Sequence, residues 1–484
     1  MEGKNRSINE RIILREIQKM KNMKRLITLS LIILSLQNFA QVKQLTEVPT
    51  VDRRIELLSI VFRLAGNNEY NATYFKKYTD KVEIHFEQYK DHEIIKFASE
   101  LRQKKSTSYE AVMNLAIMLD KDLNPLVDFS ISLPERWSKD DAVKFVKLLK
   151  KFYKDAKCEE FFNDNEALFQ EVATQFHPVY EKLDLNWFHS FYGEKDNENF
   201  NLFISIGCGD HNYGTSYTLP NAKKEVFAIM GTWKIDESGM PVYNQSEYLP
   251  IIVHEFNHPF VNQILAKHKE SFEESGREIY KAVEYEMSRQ AYDNWQIMLN
   301  EALVRASAIK YFIDHVASES EIQTMQNIEL NKGFMWIKGL VSELKKYDNQ
   351  RDIYPTLESY IPNLSIAYKT FAEKISQFDA QRPKVESITD FSNNDTNVSP
   401  QLKTITINFD RPLAGKGYSV NYGSKGKLAF PKFGTVNYAN DNKSIVMEVQ
   451  LIPDKEYQFV LTGRDFKTPE GIALKTYEVN FKTL

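Results

Sequence analysis

The run Leu249-Pro250-Ile251-Ile252-Val253-His254-Glu255-Phe256-Asn257-His258-Pro259-Phe260-Val261 decides how the rest of the chain is read. Apolar residues lead into it and Phe260, Val261, Ile264 and Leu265 continue it at helical spacing, so residues 247–266 or so are expected to form a buried amphipathic helix. On such a helix residues i and i+4 lie one turn apart on the same face. His254 and His258 can therefore offer imidazole nitrogens to one Zn²⁺, at the roughly 2.0–2.1 Å usual for that bond. Glu255 lies beside that face, where its carboxylate can take a proton from water at the metal, which is the mechanical reading of H-E-x-x-H. Pro259 works against this helix. It removes a backbone hydrogen bond at a cost of about 3 kcal/mol and biases His258 away from helical geometry, so a kink is expected there, offset by ligation.

A catalytic zinc site takes three protein ligands and keeps one position open. No third histidine follows at short spacing, and His268 lies in a polar, charged stretch. The better third ligand is Glu301, in Asn300-Glu301-Ala302-Leu303-Val304-Arg305-Ala306. An acid on an otherwise apolar helix is costly to bury unpaired, and a nearby cation removes that cost. Arg305 stands at i+4, either as a simple helix pair or as a group that steadies the ligand. Glu273, Glu274, Glu278, Glu284 and Glu286 sit among Lys and Arg and are expected to face solvent. Tyr213, Tyr217, His211, Tyr311 and His315 are all options for a transition-state donor and none stands out. Tyr292 and Trp295 read as core.

Outward from this segment the chain changes pattern twice. Residues 41–195 are helical: Leu57, Ile60, Val61 and Leu64 recur up to Gly66, and Ser138 with Asp141 precedes Val143, Val146, Leu149 and Phe152. Lys144, Lys147, Lys150, Lys151 and Lys154 form the solvated face of that second helix. In 196–378, Phe200–Ile206, Gly214–Leu219 and Glu225–Met230 alternate as short strands of a small sheet before helices resume. After Asp379–Pro383 the period is two throughout 383–484, with Ile405, Ile407 and Phe409; Ile445, Met447 and Val449; Tyr457, Phe459 and Leu461; and Tyr477, Val479 and Phe481 each on one strand face. About seven short strands over such a length imply a sandwich. The expected fold class is thus α+β: a mainly helical domain with a small sheet, then an all-β domain.

The chain's 484 residues suit two to four folding units, and 42% hydrophobic with 26% charged residues excludes a disordered or collagen-like chain. Lys24, Arg25, the apolar run Leu26–Leu36 and Ala40 read as a signal segment over residues 1–40, with Met23 as an alternative start. That run is too short to span a bilayer, and no other segment approaches the length. Export to the periplasm or beyond is expected. Beyond residue 40 the chain carries 54 basic and 63 acidic side chains, a net −9 with no basic stripe. Nucleic acid is therefore not the expected partner. Cys158 and Cys208 can pair in an oxidising compartment or remain separate thiols.

His254-Glu255-x-x-His258 with the downstream Asn300-Glu301 resembles the gluzincin group of zinc metallopeptidases, whose third ligand is a helix-borne glutamate. The spacing of 43 residues is longer than in several members, and Arg305 replaces the aspartate that often follows their glutamate. Residues 50–378 also resemble an uncharacterised family of exported bacterial proteins, catalogued as a domain of unknown function, at Arg54–Ala65, His254–Phe260 and Glu301–Ala306. The C-terminal region resembles bacterial Ig-like domains at Asn397-Val398-Ser399-Pro400, Thr404–Phe409, Asp454–Leu461 and Phe481-Lys482-Thr483. In zincin-like folds the last strand before the metal helix is the sheet edge that receives an extended peptide, and the resemblance puts Glu225–Gly231 there. Together these resemblances imply an exported zinc metallopeptidase acting on peptide or protein, with His254, His258 and Glu301 on the metal and Glu255 as general base. The alternative is a non-catalytic surface-binding protein in which the Ig-like module recognises its partner and any metal is structural.

Overall fold

Asp52 starts the first helix by accepting hydrogen bonds from the Arg54 and Ile55 amides, and the helix stops at Ala65 ahead of Gly66, whose φ of +83° suits glycine. It belongs to a computed structural model that describes residues 45–133, 136–193, 198–315 and 317–484. The signal segment expected over residues 1–40 lies outside the described residues. The chain is mixed α/β, about half helical with small sheets. It divides into two compact units between Phe256 and Asn257, and this boundary falls inside one helix.

The first unit carries helices α1 (Arg53–Leu64), α2 (Lys76–Phe86), α3 (Glu93–Lys105), α4 (Glu110–Ile117), α5 (Phe129–Ser132), α6 (Lys139–Asp155), α7 (Cys158–Asp164), α8 (Glu166–Tyr180) and α9 (Leu185–Tyr192). Every residue of α1 from Ile55 to Arg63 is buried, so it is a core helix rather than a one-faced surface helix. Ser138 caps α6 through the Asp141 amide, and Phe145, Val146, Leu149 and Phe152 form its inner face. Val143, expected in that stripe, is 53% exposed, because the stripe is centred one position further along the helix. Cys158 and Cys208 are both free, buried thiols. Cys208 Sγ lies 3.2 Å from Ser59 Oγ, and burial pushes its thiol up to about 12.

Three strands follow: β1 (Glu198–Ile204), β2 (Tyr213–Thr218) and β3 (Lys224–Met230). Their order is β1-β3-β2, with β1 parallel and β2 antiparallel to β3. The expectation that Glu225–Gly231 forms the sheet edge is therefore corrected: β3 is the central strand. All seven of its residues are buried, as the unbroken apolar run Val226-Phe227-Ala228-Ile229-Met230 demands of a strand covered on both faces. The outer side of β1 is bridged by Leu45 and Val51. Among the described residues no strand or bridge covers the outer side of β2, so β2 is the open edge.

Helix α10 (Gln245–Lys267) runs unbroken through Pro250 and Pro259, and His258 keeps a helical backbone. Its Phe256 ring meets Phe200 of β1 edge-on at 5.2 Å. At Gly214 on β2 a Cβ would stand only 1.9 Å from the Glu255 carbonyl oxygen, so this glycine is what lets the edge strand lie directly on the helix. Because strand residues alternate, Gly214, Ser216 and Thr218 share the α10 side while Tyr213, Thr215 and Tyr217 face away from it.

The second unit continues with α11 (Lys269–Ser288), α12 (Trp295–Asp314), α13 (Glu319–Asn331), α14 (Ile337–Asp348) and α15 (Ile361–Gln381). Gly276 of α11 allows close approach to α12, since a Cβ there would meet the Trp295 ring at 2.6 Å. The strands β4 (Val385–Ile388), β5 (Thr404–Phe409), β6 (Val420–Asn421), β7 (Lys432–Ala439), β8 (Ser444–Gln450), β9 (Glu456–Leu461) and β10 (Tyr477–Lys482) then form two antiparallel sheets, ordered β4-β5-β8-β7 and β10-β9-β6. The four alternating sets read from the sequence all point into one core cluster, with Tyr477 at its margin. Arg382 and Lys475 tie α15 to this region, the guanidinium on the Leu474 carbonyl at 2.8 Å and the ammonium on Asp379 at 2.9 Å. No described helix is long and apolar enough to cross a membrane.

Candidate metal centre

His254 and His258 sit one turn apart on α10, both half-buried, while Glu255 between them is only 7% exposed. Their helix is anchored by apolar neighbours: Ile252, Val253, Phe256 and Phe260 are all fully buried. Glu301 comes from the second turn of α12, a helix started by Asn294, whose side chain accepts from the Gln296 and Ile297 amides. Around Glu301 the helix buries Met298, Ala302, Leu303 and Val304. Its side chain is 12% exposed and its Oε1 lies 3.4 Å from His258 Nε2.

The three side chains expected to meet do so. One ligand atom from each of His254, His258 and Glu301 can be chosen such that all lie within 4.8 Å of one another. The fit to a metal can be judged from this donor set. Bonds of about 2.05 Å in a tetrahedral shell put ligand atoms roughly 3.3 Å apart, close to the His258–Glu301 separation. Two imidazole nitrogens and one carboxylate oxygen are also the borderline donors that zinc accepts while leaving one position open. These three residues could hold a metal ion.

A feature missed at sequence level lies behind Glu301. Helix α11 ends with Ala291 at φ +62° and with the Tyr292 amide donating to the Met287 carbonyl, a turn that projects Tyr292 toward α12. Tyr292, read from sequence as core, donates its hydroxyl to Glu301 Oε2 at 3.0 Å. Arg305 reaches the same oxygen at 3.2 Å and also donates to the Tyr292 hydroxyl at 2.7 Å. The other guanidinium nitrogen binds Glu329 Oε2 of α13 at 2.8 Å. Burial opposes the Arg305 charge, but Glu301, Tyr292 and Glu329 more than offset it and raise its pKa. One Glu301 oxygen is thus fixed from behind while the other faces His258. The sequence did hold a signal for Tyr292, since a buried tyrosine hydroxyl needs a polar partner.

The remaining sequence candidates are not members of this group. Tyr213 and Tyr217 point to the side of the sheet away from α10. Tyr311 and His315 stack on each other at 4.0 Å near the far end of α12, roughly 15–21 Å along the axis from Glu301. His211 packs edge-on to Tyr109 at 5.3 Å. His268 bonds Glu358 at 3.0 Å. Of the competing acids, Glu274, Glu278 and Glu284 are exposed, and Glu273 and Glu286 are half-buried.

A family model described as a domain of unknown function, DUF4932, matches residues 48–367 of the 484. The chain belongs to the DUF4932 family. The DUF4932 region contains α10, α12 and the whole His254–His258–Glu301 group, and stops before the C-terminal sheets. None of the curated proteins matches the chain. Among solved structures it is similar to domains 1–6 of the surface layer protein SbsC, at 15% identity over 48% of this chain and 33% of that one, with a TM-score of 0.16. A second S-layer structure, rSbsC(31-844), matches at 13% identity over 81% of this chain and 46% of that one, also at 0.16. The chain spans less than half of either, and likenesses at that score carry no argument.

Proposed function

We propose that the DUF4932 region is a zinc-dependent peptidase of zincin type, exported and followed by an Ig-like sandwich. The observation that carries this reading is the convergence of His254, His258 and Glu301, with Glu255 on the same helix turn as the two imidazoles. When bound, zinc supplies Lewis acidity toward a scissile carbonyl and lowers the pKa of water. Glu255 accepts the proton of the attacking water and passes it to the leaving amine. Its burial beside Phe256 and Asn257 restricts bulk water around that proton. The open edge of β2 supports a peptide as substrate, because an extended chain added there gains main-chain hydrogen bonds with little demand on its side chains. Gly214 sets that edge against the backbone of Glu255.

Metal analysis of the purified protein, followed by cleavage of a peptide library with and without chelator, tests the reading. Glu255→Gln is expected to retain zinc and to lose about 10²- to 10⁴-fold in cleavage rate. Cleavage by Glu255→Gln at the original rate removes the mechanism. Stoichiometric zinc without chelator-sensitive cleavage of any peptide favours a structural metal in a binding protein.

A further inference from the structure

The carboxylate offered to the metal shares its environment with a second buried charge of opposite sign. Arg305 and Glu301 are each only 12% exposed, and the guanidinium lies on the oxygen of Glu301 that faces away from His258. A cation entering the site beside Glu301 therefore meets a permanent positive charge one side chain away. At such separations and at the low effective dielectric of a protein interior, like charges repel enough to depress binding by orders of magnitude. Something must absorb the charge of Arg305 when Glu301 is spent on the metal. Glu329 of α13 is placed to do so. It too is 12% exposed, receives Arg305 Nη1 at 2.8 Å on Oε2, and is held on its other oxygen by Lys332 at 3.0 Å. Phe334 lies under the guanidinium at 5.0 Å and fixes its plane. The charges alternate outward from the site: Glu301, Arg305, Glu329, then the half-exposed Lys332.

We propose that Glu329 is the anion that balances Arg305 at the metal centre, leaving the charge of Glu301 available to the ion. It acts through Arg305 and is a positioning residue. The proposal rests on the zinc reading of His254, His258 and Glu301, and it predicts an effect on metal affinity that needs no substrate.

The test measures the Zn²⁺ dissociation constant by competition with a chromogenic chelator, with circular dichroism confirming the fold of each variant. Glu329→Gln is expected to weaken zinc binding about 10- to 100-fold, the range typical of outer partners of a metal ligand. Glu329→Asp, which keeps the charge, should stay within about threefold of the original protein. The decisive variant is the double substitution Arg305→Gln with Glu329→Gln. It removes the cation together with its counter-anion, so it should bind zinc more tightly than Glu329→Gln alone. A merely structural Glu329 gives the opposite, a double variant that binds as weakly as the single one or more weakly. That outcome overturns the proposal, as does unchanged affinity in Glu329→Gln. If the unsubstituted protein itself binds no zinc, the metal reading has failed, and that result is distinct from either of these.

Discussion

Glu56 in the first unit and Glu301 in the second are both acids on largely apolar helices, yet they are held by different means. Glu56 is fully buried on α1. Its Oε1 accepts from Ser205 Oγ and the Ile206 amide, both at 2.9 Å, and from the Gly207 amide at 3.4 Å, and among the described residues no ion pair joins it to a cation. Burial outweighs these donors and pushes its carboxyl up to about 7. Glu301 instead shares one oxygen between Arg305 and the Tyr292 hydroxyl, and its other oxygen points to His258. Neutral donors alone leave the buried Glu56 inclined to keep its proton, whereas Glu301 has a fixed cation on one oxygen and an imidazole beside the other. The first arrangement anchors the loop after β1, and the second turns one carboxylate oxygen toward His258.

The sharpest way to break the contrast is to remove the cation. Arg305→Met leaves Glu301 and Glu329 buried without their shared partner, and in metal-free protein it is expected to cost about 3–5 kcal/mol, read as a lower urea midpoint. Added zinc should recover part of that loss, because the ion binds only the folded state. A midpoint unchanged by Arg305→Met would show that Glu301 does not depend on the guanidinium.

Glu56 should give the complementary result as a pH dependence. Its folded pKa is raised, from 4.5 to about 7, so its contribution to stability is fully present below pH 4.5 and is lost as pH rises through about 7. The loss is on the order of 3 kcal/mol. Glu56→Gln keeps the acceptor for the Ser205, Ile206 and Gly207 donors but cannot ionise, so its stability should stay flat across that window. Urea unfolding at several pH values checks this, and an equal slope in both proteins would assign the titration to another group.

Most of what the sequence disclosed was local. His254 and His258 are one turn apart, Arg305 is one turn after Glu301, and the alternating sets from Ile405 to Phe481 belong to single strands, so periodicity alone placed them. What it did not disclose depends on long loops closing. Ser205 is 149 residues from Glu56, and Glu329 is 24 residues and a helix away from Arg305. The sheet edge was misplaced for the same reason: the resemblance to zincin-like folds put Glu225–Gly231 there, but β1 pairs parallel to β3 from the far side. The apolar density of β3 was the legible clue, since a strand of five consecutive apolar residues has no polar face to give to solvent.

The smallest expected effect separates neutral from charged support at Glu301 itself. Tyr292→Phe removes one hydroxyl that both donates to Glu301 Oε2 and accepts from Arg305, without changing any charge. A neutral hydrogen bond of this kind contributes about 1 kcal/mol, so the urea midpoint should fall slightly and zinc affinity by less than about tenfold. If the hydroxyl instead proves as important as the guanidinium, then Glu301 is held as Glu56 is, by dipoles. In that case orientation of the carboxylate, rather than its charge balance, is what α12 supplies to the site. Comparing Tyr292→Phe and Arg305→Met in the same chelator competition decides between the two, because only the second changes the net charge around the ion.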